Sequence, residues 1–539
     1  MAYLTGFDRK QAQLFPTCIE EHIPELAEVR IIDMYVDTLD MTQLGFKADD
    51  PGDNGRPGYA PRDMFKLYMY GYLNRIRTSR LLARECERNI ELMWLLRGLT
   101  PCFRTIAGFR SENPEAFRNI FALLVNQLNG LKLIGGKIIA IDGSKFRAVN
   151  SKKNNYNTRK VKRHLELIDE KIDEYMELLD SGDLSDEEQE EVKEKIKKKK
   201  EQRAKYKQVA KQIETSGGDQ VSTTDADARS MIIHGTVVEV AYNVQTAVDD
   251  KHCLVTNFEA TNLNDRKALL NMSLQAKEAC GVDKITILAD KGYHNGEQLS
   301  ACAAENITTY VAYPEVPRGG DIPTPEYYGE KFVYNKKQDT YTCPQGHTLK
   351  TNSNWYNKMY EQFTTKVKHY KTTACSDCQV KNFCTRNERG RLIERSEHAE
   401  AVEANANRLD KNYEVYQKRQ QINEHIFGTI KRQWGYDHIL LKGLSKNNGE
   451  FALIYLIYNF RRLVNILGEK RMKRWLKSLF YILLDIRHYV ECSIIKVNFF
   501  LKFKISIMPR MMEDYRIQNG GYCTNCRYAS CLAVVRTPT

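Results

Sequence analysis

Residues 137–146, KIIAIDGSKF, and 284–295, KITILADKGYHN, decide how this chain folds. Each opens with a short β-branched apolar run that predicts a buried strand, and each then reaches an aspartate where the chain is expected to leave the sheet. These acids are Asp142 and Asp290. A third, Glu424, lies in residues 421–438, QINEHIFGTIKRQWGYDH, a helix-like stretch crowded with Arg and Lys.

Working outward, the segments 236–249 (TVVEVAYNVQTAVD) and 251–262 (KHCLVTNFEATN) alternate and are β-branched, so they predict two more strands. An amphipathic helix follows over 264–280, then the strand ending at Asp290, a short helix over 295–306 and a strand at ITTYVAY. The order strand–insertion–strand–strand–helix–strand–helix–strand predicts an α/β fold with an RNase H-like catalytic core. In that core the first strand, a later parallel strand and a following helix each carry one acid. The insertion after Asp142 is a polar helical hairpin, residues 160–215, whose Lys-rich second arm reads as a solvated face or as a DNA contact.

The remaining chain divides by composition. Residues 1–130 predict an all-helical N-terminal domain, with Arg75, Arg77, Arg80, Arg104 and Arg110 near helix junctions. That pattern suits a helix-turn-helix-like DNA reader, with Arg104 and Arg110 as DNA contacts, or a bundle with an ordinary basic face. The catalytic domain starts at 136–313, is interrupted by a Cys-containing insertion at 314–410, and resumes at 411–468 with Glu424. Residues 469–539 form a tail holding Cys523, Cys526 and Cys531, to which no role is assigned. Within the insertion, Cys343, Cys375, Cys378 and Cys384 could make a tetrahedral structural Zn²⁺ site, with His347 as a substitute ligand; free reduced thiols are the alternative.

A chain of 539 residues exceeds one compact core, and its 42% hydrophobic and 28% charged residues describe a folded protein. The net charge of +12 favours a polyanionic partner, although simple solubility would also account for it. The opening MAYLTGFDRKQAQLF lacks the order of a signal peptide, and the apolar stretch 479–507 is broken by charges, so no membrane association is expected. Fourteen Cys without a secretion signal fit an intracellular, cytoplasmic setting.

The three acids are far apart in sequence, so only a fold can join them. For each aspartate alone the plain alternative is turn chemistry, since Asp-Gly is a common turn pair. Together, hard carboxylate oxygens in a basic protein are what a pair of divalent ions needs for phosphoryl transfer.

The blocks IDGSKFRA, TTDADARSM, YNVQTAVD, ADKGYHNGEQL, CPQGHTLK and EHIFGTIKRQWGYDHILLKGL occur in that order. With the helical segment 59–101 before them, they resemble bacterial insertion-sequence transposases of the DDE type with an InsH-like N-terminal helical domain. The resemblance spans roughly residues 10–468. It implies that Asp142, Asp290 and Glu424 bind two Mg²⁺ ions, with Mn²⁺ as a substitute. It also implies that Lys431 and Arg432 hold DNA phosphates near the cut, with Arg419 beside them. Related chains carry Tyr-x2-Arg-x3-Glu-x6-Lys; here four residues separate Arg419 from Glu424, which turns Arg419 by about 100° around a continuous helix. Asn243, Gln245, Tyr293 and His294 are either groups supporting the acids or structural hydrogen-bonders. The implied function is transposition, in which the protein binds terminal inverted repeats, cleaves, and transfers the strand to target DNA. The implied assembly is a homo-oligomer on paired ends at the nucleoid. A nuclease without strand transfer and an inactive DNA-binding repressor are the alternatives.

Overall fold

The computed structural model describes residues 18–46, 58–150, 152–181, 185–215, 220–234, 236–314, 322–360 and 363–481. The tail cysteines Cys523, Cys526 and Cys531 lie outside them. Apolar residues at three- and four-residue steps make the N-terminal part helical: α1 (Glu28–Asp37), α2 (Pro61–Leu73), α3 (Ser79–Arg88), α4 (Ile90–Leu95), α5 (Phe103–Glu112) and α6 (Pro114–Gly130). Their starts follow local chemistry. Pro61 and Pro114 occupy first turns, where a missing N–H costs nothing. The side chains of Thr78 and Asn89 accept backbone N–H groups at the starts of α3 and α4.

The middle of the chain holds β1 (Ile138–Arg147), β2 (Asn155–Asn157), the hairpin arms α7 (Thr158–Asp180) and α8 (Asp186–Thr215), β3 (Gln220–Ser222), β4 (Arg229–His234), β5 (Val237–Asp249), β6 (Val255–Thr261), α9 (Leu269–Cys280), β7 (Ile285–Ala289), α10 (Gly296–Ala304) and β8 (Ile307–Val311). The main sheet runs β4-β5-β1-β7-β8, with β6 also paired to β5. β1 is antiparallel to β5 and parallel to β7, and β7 is parallel to β8. β5 is buried without alternation from Val240 to Val248 because both faces are covered. On one face Ile139, Ile141, Ala247, Ile287 and Ala289 pack with Leu269 and Met272 of α9. On the other, Thr246 shares a 2.8 Å hydrogen bond with Tyr455.

The Cys-containing part is a sheet of its own, built from short Thr- and Tyr-rich strands for which the sequence reading had no assignment. It comprises β9 (Val333–Asn335), β10 (Thr340–Thr342), β11 (Thr348–Thr351), β12 (Tyr356–Tyr360) and β13 (Phe363–Lys371). After the single turn α11 (Lys381–Cys384), β14 (Ile393–Ser396) completes it by pairing with β13. Phe332, Tyr341, Leu349, Tyr370 and Ile393 form its core. The helices α12 (Ala399–Lys411), α13 (Tyr413–Phe427) and α14 (Leu444–Leu467) follow it.

α14 is buried on every side from Asn447 to Phe460 because it runs between the main sheet and the N-terminal helices. Gly449 permits the closest approach: a Cβ there would lie 2.5 Å from the Cα of Pro114 at the start of α6. The amides of α14 also finish the sheet edge. Asn459 accepts from the N–H of Val255 at 2.9 Å and donates to its carbonyl at 2.8 Å, and Asn448 serves Ala260 in the same way. At the opposite edge Asn405 of α12 clasps Val311 of β8. Edge strands otherwise present unpaired backbone groups, and side-chain amides answer that need. The N-terminal helices thus share a core with the main sheet, in a compact unit that runs to Arg474. Among the described residues no helix is long and apolar enough to cross a membrane.

Candidate active site

Asp142 is not at the end of its strand, contrary to the sequence expectation. β1 continues to Arg147 on the support of β5, with Asp142 opposite Thr246. Its parallel pairing with β7 stops at Ala140, opposite Leu288. Asp142 therefore stands just beyond the point where β7 leaves the sheet, and Asp290 directly follows β7. Asp290 turns its carboxylate back to accept from the N–H of Gly292 at 2.8 Å. Asp142 Oδ1 accepts from the N–H of Gly143 at 2.9 Å, and Oδ2 faces Arg419 Nη1 at 3.5 Å. Burial pushes the Asp142 carboxyl up to about 6; Arg419 opposes this, while the charges of Asp290 and Asp265 add to it.

Asp265 is a site residue that the sequence reading missed. It opens a tight helical turn, Asp265–Lys267, just after β6. Its Oδ1 accepts from Asn243 Nδ2 and Gln245 Nε2, both at 2.6 Å, and Oδ2 lies 3.6 Å from Lys145 Nζ. Gln245 in turn accepts a hydrogen bond from the buried Tyr293 hydroxyl. The amides of Asn243 and Gln245 thus hold Asp265, not Asp142 or Asp290. The one available signal was Asn264-Asp265 ahead of an amphipathic helix, and ordinary helix-start chemistry accounts for that pair equally well. His294 is half-buried, and among the described residues its Nε2 has no hydrogen-bond partner.

Helix α13 lies across β1 and delivers Arg419 to Asp142. Glu424, on the same helix, is exposed and accepts from Gln420 one turn earlier at 2.9 Å; among the described residues no ion pair or hydrogen bond joins it to either aspartate. His425 Nδ1 is hydrogen-bonded to the Tyr458 hydroxyl. α13 then widens into a π-helical turn, Gly428–Gln433, which carries Lys431 and Arg432. Lys431 Nζ donates to the carbonyl of Lys145 at 2.6 Å and sits 4.2 Å from the centre of the Phe146 ring. Burial lowers its pKa to about 8. Arg432 is exposed.

The two N-terminal arginines expected to touch DNA part company. Arg104 is exposed beside Phe103, with Arg80 on the same ring. Arg110 is buried at 4% exposure and donates to the Tyr72 hydroxyl and the Arg77 carbonyl. A guanidinium spent on the core does not reach a phosphate, which corrects the expectation for Arg110.

Cys343, Cys375, Cys378, Cys384 and His347 are among the residues that line one small cavity of the second sheet. Burial holds the Cys384 thiol above its usual pKa; Arg391 opposes this and the neighbouring thiols add to it, so the protonated form is favoured. Among the described residues no three acidic, histidine or cysteine side chains are gathered as a metal site, and the zinc expectation has no support here. The aspartate cluster nonetheless has the chemistry of a hard-cation site. Its donors are carboxylates, and beside Asp265 the Asn243 Oδ1 is buried without a partner among the described residues. Gly143 leaves a cradle in which a Cβ would come within 2.4 Å of Asp265 Oδ1.

Two family models match the chain. One, described as "Transposase DDE domain", covers residues 342–464, and the other, "Transposase domain (DUF772)", covers residues 17–112. The two stretches bracket the part that carries Asp142, Asp265 and Asp290. No curated protein matches. Among solved structures, a piggyBac transposase synaptic complex with hairpin DNA is similar at 10% identity, over 85% of this chain and 79% of that one. Its TM-score is 0.28, too low to carry an argument.

Proposed function

We propose that Asp142, Asp290 and Glu424 carry the chemistry of this chain, which the two family models indicate to be an insertion-sequence DDE transposase, an enzyme of phosphoryl transfer on DNA. The observation behind this reading is the meeting of Asp142 and Asp290 beyond adjacent parallel strands, with α13 brought to them by Arg419 from 277 positions away. Glu424 rides on that helix. We read the main sheet as an RNase H-like core; antiparallel β6, β5 and β1 continued by parallel β7 and β8 support it.

Mg²⁺ or Mn²⁺ held by these carboxylates, as a pair of ions, would supply charge neutralisation at phosphorus and a lowered pKa for the attacking oxygen. The protein's own groups bind and orient. Lys431 and the exposed Arg432 engage phosphates beside the strand that bears Asp142. Arg104, with Arg80 and the exposed Phe103, offers a cationic and aromatic surface for the terminal inverted repeats. Water attacks phosphorus in line and a P–O bond to the 3′ oxygen breaks; the freed 3′-OH then attacks target DNA by the same geometry. The protein works as a homo-oligomer on paired ends, in the cytoplasm at the nucleoid.

The test uses end DNA with Mg²⁺. Asp290→Asn is expected to bind ends in a mobility shift and to cleave none; cleavage at the wild-type rate would sink the assignment. Joining of a pre-cut end to a target plasmid separates a transposase from a nuclease. Wild-type protein that binds ends without cleaving them would identify a repressor.

A further inference from the structure

We propose that the foot of the α7–α8 hairpin is a sequence-independent DNA-binding surface, on which Arg159 and Arg163 of α7 and Lys205, Lys207 and Lys211 of α8 hold the phosphates of a duplex. The proposal rests on the reading above of this chain as an enzyme acting on DNA.

The two arms run antiparallel along an apolar seam. Val161 packs with Val209 and Ile213, and the His164 and Tyr206 rings stack at 4.9 Å. An ion pair of Arg203 with Asp169 at 2.7 Å keeps the same register further out. This pairing sets two basic segments from opposite ends of the insertion side by side.

Charge is segregated along the hairpin as a result. Outward of the Arg203 pair, α7 reads DEYMELLD over residues 173–180, and the chain enters α8 through SDEEQEE over 185–191. Lysines of the outer half are matched by acids one turn away: Lys171 by Glu174, Lys193 by Glu190, Lys195 by Glu191 and Lys198 by Glu194. Such pairs are the ordinary state of a solvated helix face. At the foot Lys162 has a partner of this kind, Glu166 at 4.0 Å, but the five proposed cations do not. They are exposed, and among the described residues none of their side chains makes an ion pair or hydrogen bond. Lys160 differs from them: it donates to the carbonyls of Lys153 and Asn155 at 3.0 and 2.8 Å and covers the Tyr156 ring. An unmatched patch of one sign suits a polyanion, and the acidic outer half repels the same duplex from the far end.

The foot is also rooted on the sheet that bears Asp142. β1 ends at Arg147, and the chain reaches α7 through β2, which pairs with β3. Asn155 of β2 donates to the Ser230 hydroxyl of β4, and Gln220 of β3 accepts from the Ser230 N–H at 2.9 Å. Phosphate contacts of this kind position a duplex without reading its sequence.

The test measures binding of the full-length protein to a labelled duplex of arbitrary sequence, by fluorescence anisotropy across a salt series, with thermal melting of each variant alongside. The foot variant combines Arg159→Gln, Arg163→Gln, Lys207→Gln and Lys211→Gln. It is expected to bind about 10-fold or more weakly at low salt, with the slope of log K against log salt shallower by about 2 or more, since each phosphate contact contributes about 0.9. The outer variant, Glu187→Gln, Glu188→Gln, Glu190→Gln and Glu191→Gln, shifts net charge by the same amount in the other direction and is expected to change the slope by less than about 1. Lys205→Gln with Lys207→Gln, on α8 alone, is expected to shift the slope in the sense of the foot variant and keeps the proposal testable if that variant does not fold. Unchanged affinity and slope in the foot variant, or a slope change of equal size in the outer variant, overturns the proposal while duplex binding by the wild type upholds the DNA reading. Failure of the wild type to bind duplex at low salt overturns that reading itself.

Discussion

Arg77 Nη2 lies 2.5 Å from Oε1 of Glu450, a carboxylate with no solvent exposure that sits 373 positions further along the chain. The guanidinium also donates to the His438 carbonyl and lies over the Tyr436 ring, while the other Glu450 oxygen accepts from the N–H of Leu440. Burial works against the Glu450 charge, but Arg77 and Arg110 outweigh it and hold its pKa below the usual value. This pair ties the N-terminal helices to α14. Removing one partner strands the other charge in the core, so Glu450→Ala should cost about 3–5 kcal/mol in urea unfolding. Replacing both residues by methionine should recover most of that loss; a double variant as unstable as the single one would show that the pair is more than mutual neutralisation.

Asn459 satisfies both backbone groups of Val255 at the β6 edge. Leucine fits the volume but leaves a buried N–H and carbonyl unpaired. Asn459→Leu should lower stability by about 1–3 kcal/mol per orphaned group. Hydrogen exchange should show the loss first at Val255; unchanged protection there would refute the role.

Lys431, lowered to about 8 by burial, loses its charge as pH rises through that value. Its contribution to end binding should therefore be present at pH 7 and mostly gone by pH 9. Lys431→Arg stays charged and should flatten the profile, as read by fluorescence anisotropy; identical wild-type and Arg profiles would contradict the phosphate contact. The folding effect has the opposite sense. An unfolded lysine keeps its proton to about 10.4, so between about 8 and 10.4 the unfolded state binds more protons and stability rises with pH.

Asp339 organises the second sheet. It accepts from Tyr334 at 2.8 Å, Tyr370 at 2.6 Å and Lys368 at 2.8 Å. Burial alone would raise its pKa, but these three bonds outweigh it and bring the carboxyl down to about 2. A depressed carboxylate stabilises above its unfolded value and loses that contribution as pH falls through the folded one. The sheet should loosen between about pH 4 and pH 2, modestly because Asp339 is 32% exposed. Tyrosine fluorescence should follow the change, and Asp339→Asn should remove the pH step; an unchanged step would assign it to another acid.

The strand–helix order and the strand end at Asp290 were legible because they rest on local patterns, a β-branched run that stops before Asp290 and a polar hairpin recognisable by period, whereas the continuation of β1 past Asp142 depends on its pairing with β5. The second sheet was not, since all its strands but β13 have only three to five residues, as in Thr340–Thr342, and are too short to carry a periodic signal. Arg110 shows the same limit from another side: a sequence reports its charge but not that Tyr72 and the Arg77 carbonyl consume it.

By itself, the sequence determined which residues could hold a cation or a phosphate, because side-chain chemistry is fixed residue by residue. Only the tertiary structure decided which of them meet. Asp265 meets Asn243 and Gln245 because strand pairing sets Asn243 opposite Lys145 and Gln245 opposite Gly143, and the turn after β6 drops its carboxylate onto both amides. Glu424 shares a helix with Arg419 and has Gln420 as its partner. Register and helix rotation are cooperative properties of the packed chain, and no local spacing encodes them.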